Sequence, residues 1–226
     1  MTPPLSVSTL TAGFARHPLL RADGLSVPPG TVVVLTGRNG SGKSTLLRTV
    51  AGLQEPLSGE VLLGGVAAHT LSPIQRALRV SIVLTRRPEL QGLDVRTLVG
   101  MGRYPHHDIQ PAAGNDPGAD DALTQCGLIG YGHREVHTLS DGEMQKAMIA
   151  RALYQDTPLL LLDEPTAFLD REARVDMMHL LRHLASNRGK AILFSSHDLE
   201  IALDAADLQW DIREGEVVIL PVSHRS

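Results

Sequence analysis

At 226 residues and 24.3 kDa the chain has the length of one large domain, and its 42% of hydrophobic residues excludes a disordered protein. Lys+Arg 21 against Asp+Glu 25 gives a formal net charge of -4, which excludes the broad basic surface that binding a nucleic-acid backbone needs. No stretch reaches the roughly 18 apolar residues of a membrane-crossing helix, the start Met1-Thr2-Pro3-Pro4 lacks the pattern of a leader, and the single Cys126 fits a reducing compartment.

Residues 5–12 alternate as an antiparallel strand does, and end just before Phe14. Residues 31–36 (TVVVLT) form a continuous apolar run, the mark of a strand buried on both faces. Then comes Gly37-Arg38-Asn39-Gly40-Ser41-Gly42-Lys43-Ser44-Thr45, which satisfies G-x-x-x-x-G-K-[ST] between a strand and a helical pattern at 43–51. Glycines there let backbone N–H groups face phosphate oxygens, and the start of the helix adds its positive end. Lys43 supplies a charge between the β- and γ-phosphates, and the Ser44 hydroxyl is a Mg²⁺ ligand. By itself this loop says NTPase or kinase and no more.

Residues 80–84 (VSIVL) read as a further strand, followed by Thr85. From about residue 86 to 137 the pattern changes. Short helices are expected at 95–101 and 120–128, joined by the breaker-rich stretch 105–118, so this segment reads as a small helical insertion. His106 and His107 within it read as exposed loop residues rather than metal ligands. Leu139-Ser140-Asp141-Gly142-Glu143 opens a helix over 142–154, with Ser140 as N-cap and Glu143 three residues on as its capping-box partner.

The apolar run 159–162 delivers Asp163 and Glu164 to a strand's carboxyl end, where open α/β sheets bind ligands. Asp163 can hold Mg²⁺ through water, and Glu164 can act as general base on the attacking water. A helix over 171–185, a buried strand at 191–194 leading into Ser195-Ser196-His197, and a hairpin over 208–220 turning at Glu214-Gly215 complete the chain. Strands alternating with helices point to an α/β fold around a mostly parallel sheet.

The order Lys43, Ser140-x-Gly142, Asp163-Glu164, Asp170, His197 resembles the ABC ATPase family over nearly the whole chain. The segment at Ser140 looks like that family's Leu-Ser-Gly-Gly-Gln signature, with Asp141 for the first glycine and Glu143 for the glutamine. Asp170 in Ala167-Phe168-Leu169-Asp170 matches the D-loop, and His197 matches the switch histidine that orders the attacking water at the γ-phosphate. The resemblance implies a phosphate-loop NTPase core with an antiparallel β subdomain and a helical insertion. As domains this means a single ATPase domain 1–226, with 1–85 and 138–226 as core and about 86–137 as insertion. It also implies a head-to-tail dimer in which each ATP lies between the phosphate loop of one subunit and Ser140, Gly142 and Asp170 of the other. Phe14 aligns with the aromatic that stacks on adenine, a core phenylalanine being the competing reading.

Thr85 departs from the pattern, because most members carry there a glutamine that touches Mg²⁺ and water. Gln91 could substitute, or the Thr85 hydroxyl could itself reach the metal. Residues 94–106 resemble the stretch with GRxPH found in importers of iron-siderophores, haem and cobalamin, as does Phe168-Leu169-Asp170. The expected protein is the ATP-hydrolysing subunit of such an importer. Its expected partners are a second copy, a membrane permease and, indirectly, an extracytoplasmic ligand-binding protein, with no nucleic acid. Its expected place is the cytoplasmic face of the membrane, and no appended regulatory domain is expected. The alternative is a soluble ABC-type ATPase acting on a nucleic-acid or ribosomal machine. That class should show basic patches, two fused ATPase domains or a long coiled-coil insertion, and none appears. A small-molecule kinase would not need the Ser140-x-Gly142 helix.

Overall fold

The structure is a computed structural model that describes residues 2–14, 17–85, 92–106 and 117–222. In chain order the strands and α-helices are β1 (Leu5–Phe14), β2 (His17–Val27), β3 (Val32–Gly37), α1 (Lys43–Val50), β4 (Ser58–Leu63), β5 (Val66–Ala67), α2 (Pro73–Ala77), β6 (Val80–Val83), α3 (Val95–Gly100), α4 (Pro117–Gln125), α5 (Asp141–Tyr154), β7 (Leu159–Asp163), α6 (Arg171–Arg188), β8 (Ala191–Ser195), α7 (Leu199–Ala205), β9 (Leu208–Arg213) and β10 (Glu216–Pro221). Among the described residues the strands make one sheet, in the order β5-β4-β1-β2-β10-β9-β3-β8-β7-β6. From β9 to β6 the neighbours run parallel, while β1, β2, β4 and β5 pair antiparallel. This is the phosphate-loop α/β architecture, with its antiparallel layer and helical segment, that the motif order implied.

The apolar runs become β3, β7 and β8 because strands covered on both faces need apolar residues at every position. Alternate side chains then serve different cores. Val32, Val34, Leu160, Leu162, Ile192 and Phe194 pack with α3, α4, α5 and α6. Val33, Leu35, Leu159, Leu161, Ala191 and Leu193 pack with α1 and the antiparallel strands. Fully burying one such side chain contributes about 1.5–3 kcal/mol, so these three strands are the main anchor of both layers.

Within the sheet, among the described residues, the antiparallel strands pair with the rest through β2 and β10. Glu216 pairs with Arg21, and the Arg21 N–H donates to Gly215 O at 2.7 Å. The turn that delivers this contact has positive φ at both Glu214 and Gly215, the geometry that matches the twist of a tight hairpin. The sheet's two outer strands are short, β5 with 2 residues and β6 with 4. At β6 the Gln155 side chain donates to the carbonyls of Val80 and Ala77.

The helical segment is capped at Asp94, whose carboxylate accepts from Thr97 N–H at 2.7 Å. Beyond α3 the chain tightens into a short helix, Met101–His106, lying on α5. A Cβ at Gly102 would stand 2.4 Å from the Arg151 carbonyl, so only glycine allows this approach. Helix α4 covers Pro117–Gln125, so it already includes three residues before the Asp120 expected, and it ends at Gln125, short of the expected Leu128. His106 is not the exposed loop residue expected, since it is half-buried and its Nε2 lies 2.8 Å from Gln155 O. His107 and Gln91 lie outside the described residues. Among the described residues no helix is long and apolar enough to cross a membrane.

Candidate functional site

The loop over residues 37–45 sits between the end of β3 and the start of α1. Gly37, Gly40 and Gly42 all have positive φ. Gly42 is the N-cap of α1 in the left-handed region, so no side chain closes the helix start, and the first turn holds no acidic residue. A Cβ at Gly42 would meet the Leu20 side chain at 2.6 Å, so β2 packs directly against the loop. The helix thus begins with unoccupied N–H groups and a positive end, a shape made for an anion.

Lys43 is buried at this helix start, and its Nζ donates to Gly37 O at 3.0 Å and Arg38 O at 3.3 Å. Burial holds its ammonium below the ordinary value, an effect partly offset by the charges of Glu164 and Asp163. Ser44 is exposed, and Ser41 Oγ is buried with no hydrogen-bond partner.

β7 ends at Asp163, which is buried, with Oδ1 accepting from Ser195 Oγ at 2.7 Å. The next residue, Glu164, has φ 53, a conformation that costs a side-chain-bearing residue energy and recurs at functional sites. Its N–H donates to Ser195 Oγ at 2.9 Å, and its carboxylate Oε1 lies 2.6 Å from His197 Nε2. Thr85, just past β6, donates its hydroxyl to Asp163 O at 3.0 Å. The phosphate loop, both carboxylates, His197 and Thr85 therefore stand together at the carboxyl ends of the parallel strands. An acid–base pair beside an anion cradle can polarise a water next to a bound phosphate.

Ser140, Gly142 and Asp170 gather elsewhere. They line a groove with Glu143, Lys146 and Phe168, and this groove shares no lining residue with the one beside the phosphate loop. Ser140 caps α5 as its spacing suggested: Glu143 N–H donates to Ser140 Oγ at 3.3 Å, and Ser140 N–H donates to Glu143 Oε2 at 2.7 Å. The other carboxylate oxygen accepts from Tyr131 at 2.7 Å and Arg134 at 3.1 Å. The Ser140 N–H above all, then the hydroxyl of Tyr131, lower the Glu143 pKa to about 2. Asp170 caps α6 in turn, accepting from Ala173 N–H at 2.8 Å. Phe168 is 56% exposed, with φ 66.

Phe14 is 53% exposed at the end of β1, so it is no core residue. Its hairpin partner β2 is the strand that touches Gly42. Two groups near the loop escaped the sequence reading. One is Ser195, whose only signal was a hydroxyl ending an apolar strand. The other is the set Thr36, Gln209 and Asp211, whose polar side chains join across β3 and β9. Burial opposes the Asp211 charge, yet bonds from Thr36 and Arg213 hold its carboxyl below the usual range.

The sequence matches the ABC transporter family over residues 20–167. It is 39% identical over 200 residues to the achromobactin transport ATP-binding protein CbrD of Dickeya dadantii (strain 3937), covering 88% of this chain and 74% of that one. It is 36% identical over 220 residues to the iron(3+)-hydroxamate import ATP-binding protein FhuC of Bacillus subtilis (strain 168), covering 95% of this chain and 80% of that one. Its fold superposes, with TM-score 0.87 and 24% identity over 98% of this chain and 100% of the other, on the dimeric, post-hydrolysis ATP-binding cassette MJ0796 bound to ADP and Pi.

Proposed function

The chain belongs to the ABC transporter family, and from that premise we propose that it is the ATP-binding, ATP-hydrolysing subunit of an importer. Its cargo class is an iron-siderophore, haem or cobalamin-type ligand, carried through a membrane permease; the similarity to an achromobactin transport and an iron(3+)-hydroxamate import ATP-binding protein supports that class. The observation that carries the chemistry is the convergence of Lys43, Asp163, Glu164 and His197 at the carboxyl ends of the parallel strands, with 2.6 Å between Glu164 and His197.

On this reading the nine residues Gly37, Arg38, Asn39, Gly40, Ser41, Gly42, Lys43, Ser44 and Thr45 bind the phosphates of ATP. The buried Ser41 hydroxyl without a partner fits a phosphate oxygen. Lys43 holds its charge against the β- and γ-oxygens, and Phe14 offers its exposed ring to adenine. The oxygen donors Ser44 and Asp163 suit Mg²⁺, with Thr85 as a further candidate, and the ion when bound neutralises phosphate charge. Glu164 takes a proton from the attacking water while His197 fixes the carboxylate and faces the γ-phosphate.

The groove of Ser140, Gly142 and Asp170 then serves ATP held by a second copy, which is why it lies apart from the phosphate loop. The whole chain acts as one ATPase domain, and the segment about 86–137 is the part that meets the permease on the cytoplasmic face of the membrane. An extracytoplasmic protein hands the ligand to that permease, and no nucleic acid takes part. The decisive test is Glu164→Gln, whose amide cannot accept the proton. ATP binding should persist while turnover falls to background, and the variant should dimerise when ATP, but not ADP, is added. Hydrolysis near the wild-type rate would remove Glu164 as the base, and an unchanged mass by light scattering would count against the composite site.

A further inference from the structure

We propose that Ser195 is a positioning residue for hydrolysis, its hydroxyl setting the backbone from which Glu164 reaches His197. This rests on Glu164 acting as the base, as proposed above.

Four observations converge on it. β7 and β8 pair in parallel with Asp163 opposite Ser195, which puts the hydroxyl level with the end of β7. Ser195 is fully buried, and its single oxygen works in both directions: it donates to Asp163 Oδ1 at 2.7 Å and accepts from Glu164 N–H at 2.9 Å. Glu164 adopts φ 53, a conformation that a non-glycine residue keeps only when its surroundings impose it. Finally, Ser195 lies two residues before His197, so one strand end fixes both members of the 2.6 Å Glu164–His197 pair.

Packing does not ask for this hydroxyl. The four preceding residues of β8, Ala191, Ile192, Leu193 and Phe194, are apolar and fully buried. An apolar residue at 195 would continue that pattern, but it would leave the Glu164 N–H without its acceptor and Asp163 Oδ1 without its donor. The left-handed turn would then lack the bond that holds it, and the Glu164 carboxylate could swing away from the water it must deprotonate. Ground-state contacts to nucleotide come chiefly from the loop over 37–45, whereas the Ser195 hydroxyl bonds Asp163 and Glu164, so the deficit belongs to the chemical step.

The test uses a pair of nearly identical shape, Ser195→Thr and Ser195→Val, in the full chain. Any steric cost of the extra methyl is common to both, and only Thr keeps the oxygen. Basal ATP turnover, KM for ATP and affinity for ADP are measured for each, with thermal unfolding as a control. Val should fall below Thr in kcat by roughly tenfold or more, the scale on which small misplacements of a catalytic group act, while KM and ADP affinity stay within about twofold. Equal turnover by Thr and Val overturns the proposal, and so does a loss that appears in KM or ADP affinity. If the added methyl prevents folding, Ser195→Ala introduces no new atom: lost kcat at unchanged ADP affinity supports the proposal, and wild-type kcat overturns it. Glu164→Gln is run in parallel. If it hydrolyses normally, the base assignment fails; if it is inert while the serine variants are fully active, only the role of Ser195 fails.

Discussion

Two helices of this molecule begin beside a glycine and point their positive ends outward, and they are built in opposite ways. At α1 the N-cap is Gly42, no side chain closes the helix, the first turn carries no acid, and a buried lysine sits at the opening. At α5 the N-cap is Ser140, a full capping box occupies the first turn, and both Asp141 and Glu143 lie within it. The first site is backbone, positive and open, ready for an anion by itself. The second is satisfied internally, and its two carboxylates oppose an anion. On the composite site proposed above, the contrast accounts for a division of labour: α1 binds nucleotide within one chain, and α5 acts on a phosphate already neutralised by the other subunit's loop.

The largest effect should come from removing the charge that distinguishes α1. Lys43→Ala deletes a charge-assisted contact of about 1.5–3 kcal/mol, so ATP affinity should fall roughly ten- to a hundredfold, with turnover falling alongside. Isothermal titration measures this directly, and unchanged affinity would mean that α1 is not the primary anion site. Ser140→Arg should separate the two helices. Binding to a single subunit should stay within about twofold of wild type, since additivity holds for distant sites, whereas ATP-driven dimerisation and turnover should be lost. Light scattering on the Glu164→Gln background reads the first, and a parallel loss of monomer affinity would merge the two sites into one.

Stability gives a smaller handle on α5. The folded Glu143 carboxyl titrates at about 2 instead of its ordinary 4.5. A lowered folded value stabilises the native state above about pH 4.5, and that contribution disappears as pH falls toward 2. Glu143→Gln keeps the capping geometry but loses the charge, so it should be less stable by about 1 kcal/mol at neutral pH, partial exposure keeping the figure low. Urea unfolding across this range should show the gap between variant and wild type closing with acid; a gap independent of pH would place the effect in packing. The smallest effect is expected for Thr85→Gln. The Thr85 hydroxyl bonds the backbone carbonyl of Asp163, so it helps to place β7 rather than to carry nucleotide charge. Affinity should change by less than about 1 kcal/mol, and the altered quantity should be the ATPase rate stimulated by the permease. Several kcal/mol in affinity with an unchanged stimulated rate would make Thr85 a primary ligand.

The α1 site was open to reading from sequence because its chemistry is local. Gly37 to Thr45 are consecutive, and the strand before and helix after them announce themselves by apolar run and periodicity. The capping box at Ser140 was legible for the same reason, being a pattern of four residues. Contacts made across the sheet were not. Nothing local says that Ser195 will stand opposite Asp163, because that depends on the register of two strands 32 residues apart. Tyr131 and Arg134 reach Glu143 only once the segment before α5 has folded back over it. β2, β4, β5, α2 and α7 have no counterpart among the elements expected from the sequence. In β2 the sequence His17-Pro18-Leu19-Leu20-Arg21 lacks clean alternation, and its exposed run at His17, Pro18 and Leu19 shows why.

The short outer strands of the sheet have a consequence for the subunit before it meets any partner. A ten-stranded sheet offers two rims of unpaired backbone, and a long flat rim is a template for stacking copies without end. Here one rim is only 2 residues long, and the other, 4 residues long, has its first carbonyl taken by Gln155. Among the described residues, growth of the sheet from copy to copy therefore has little open edge to start from.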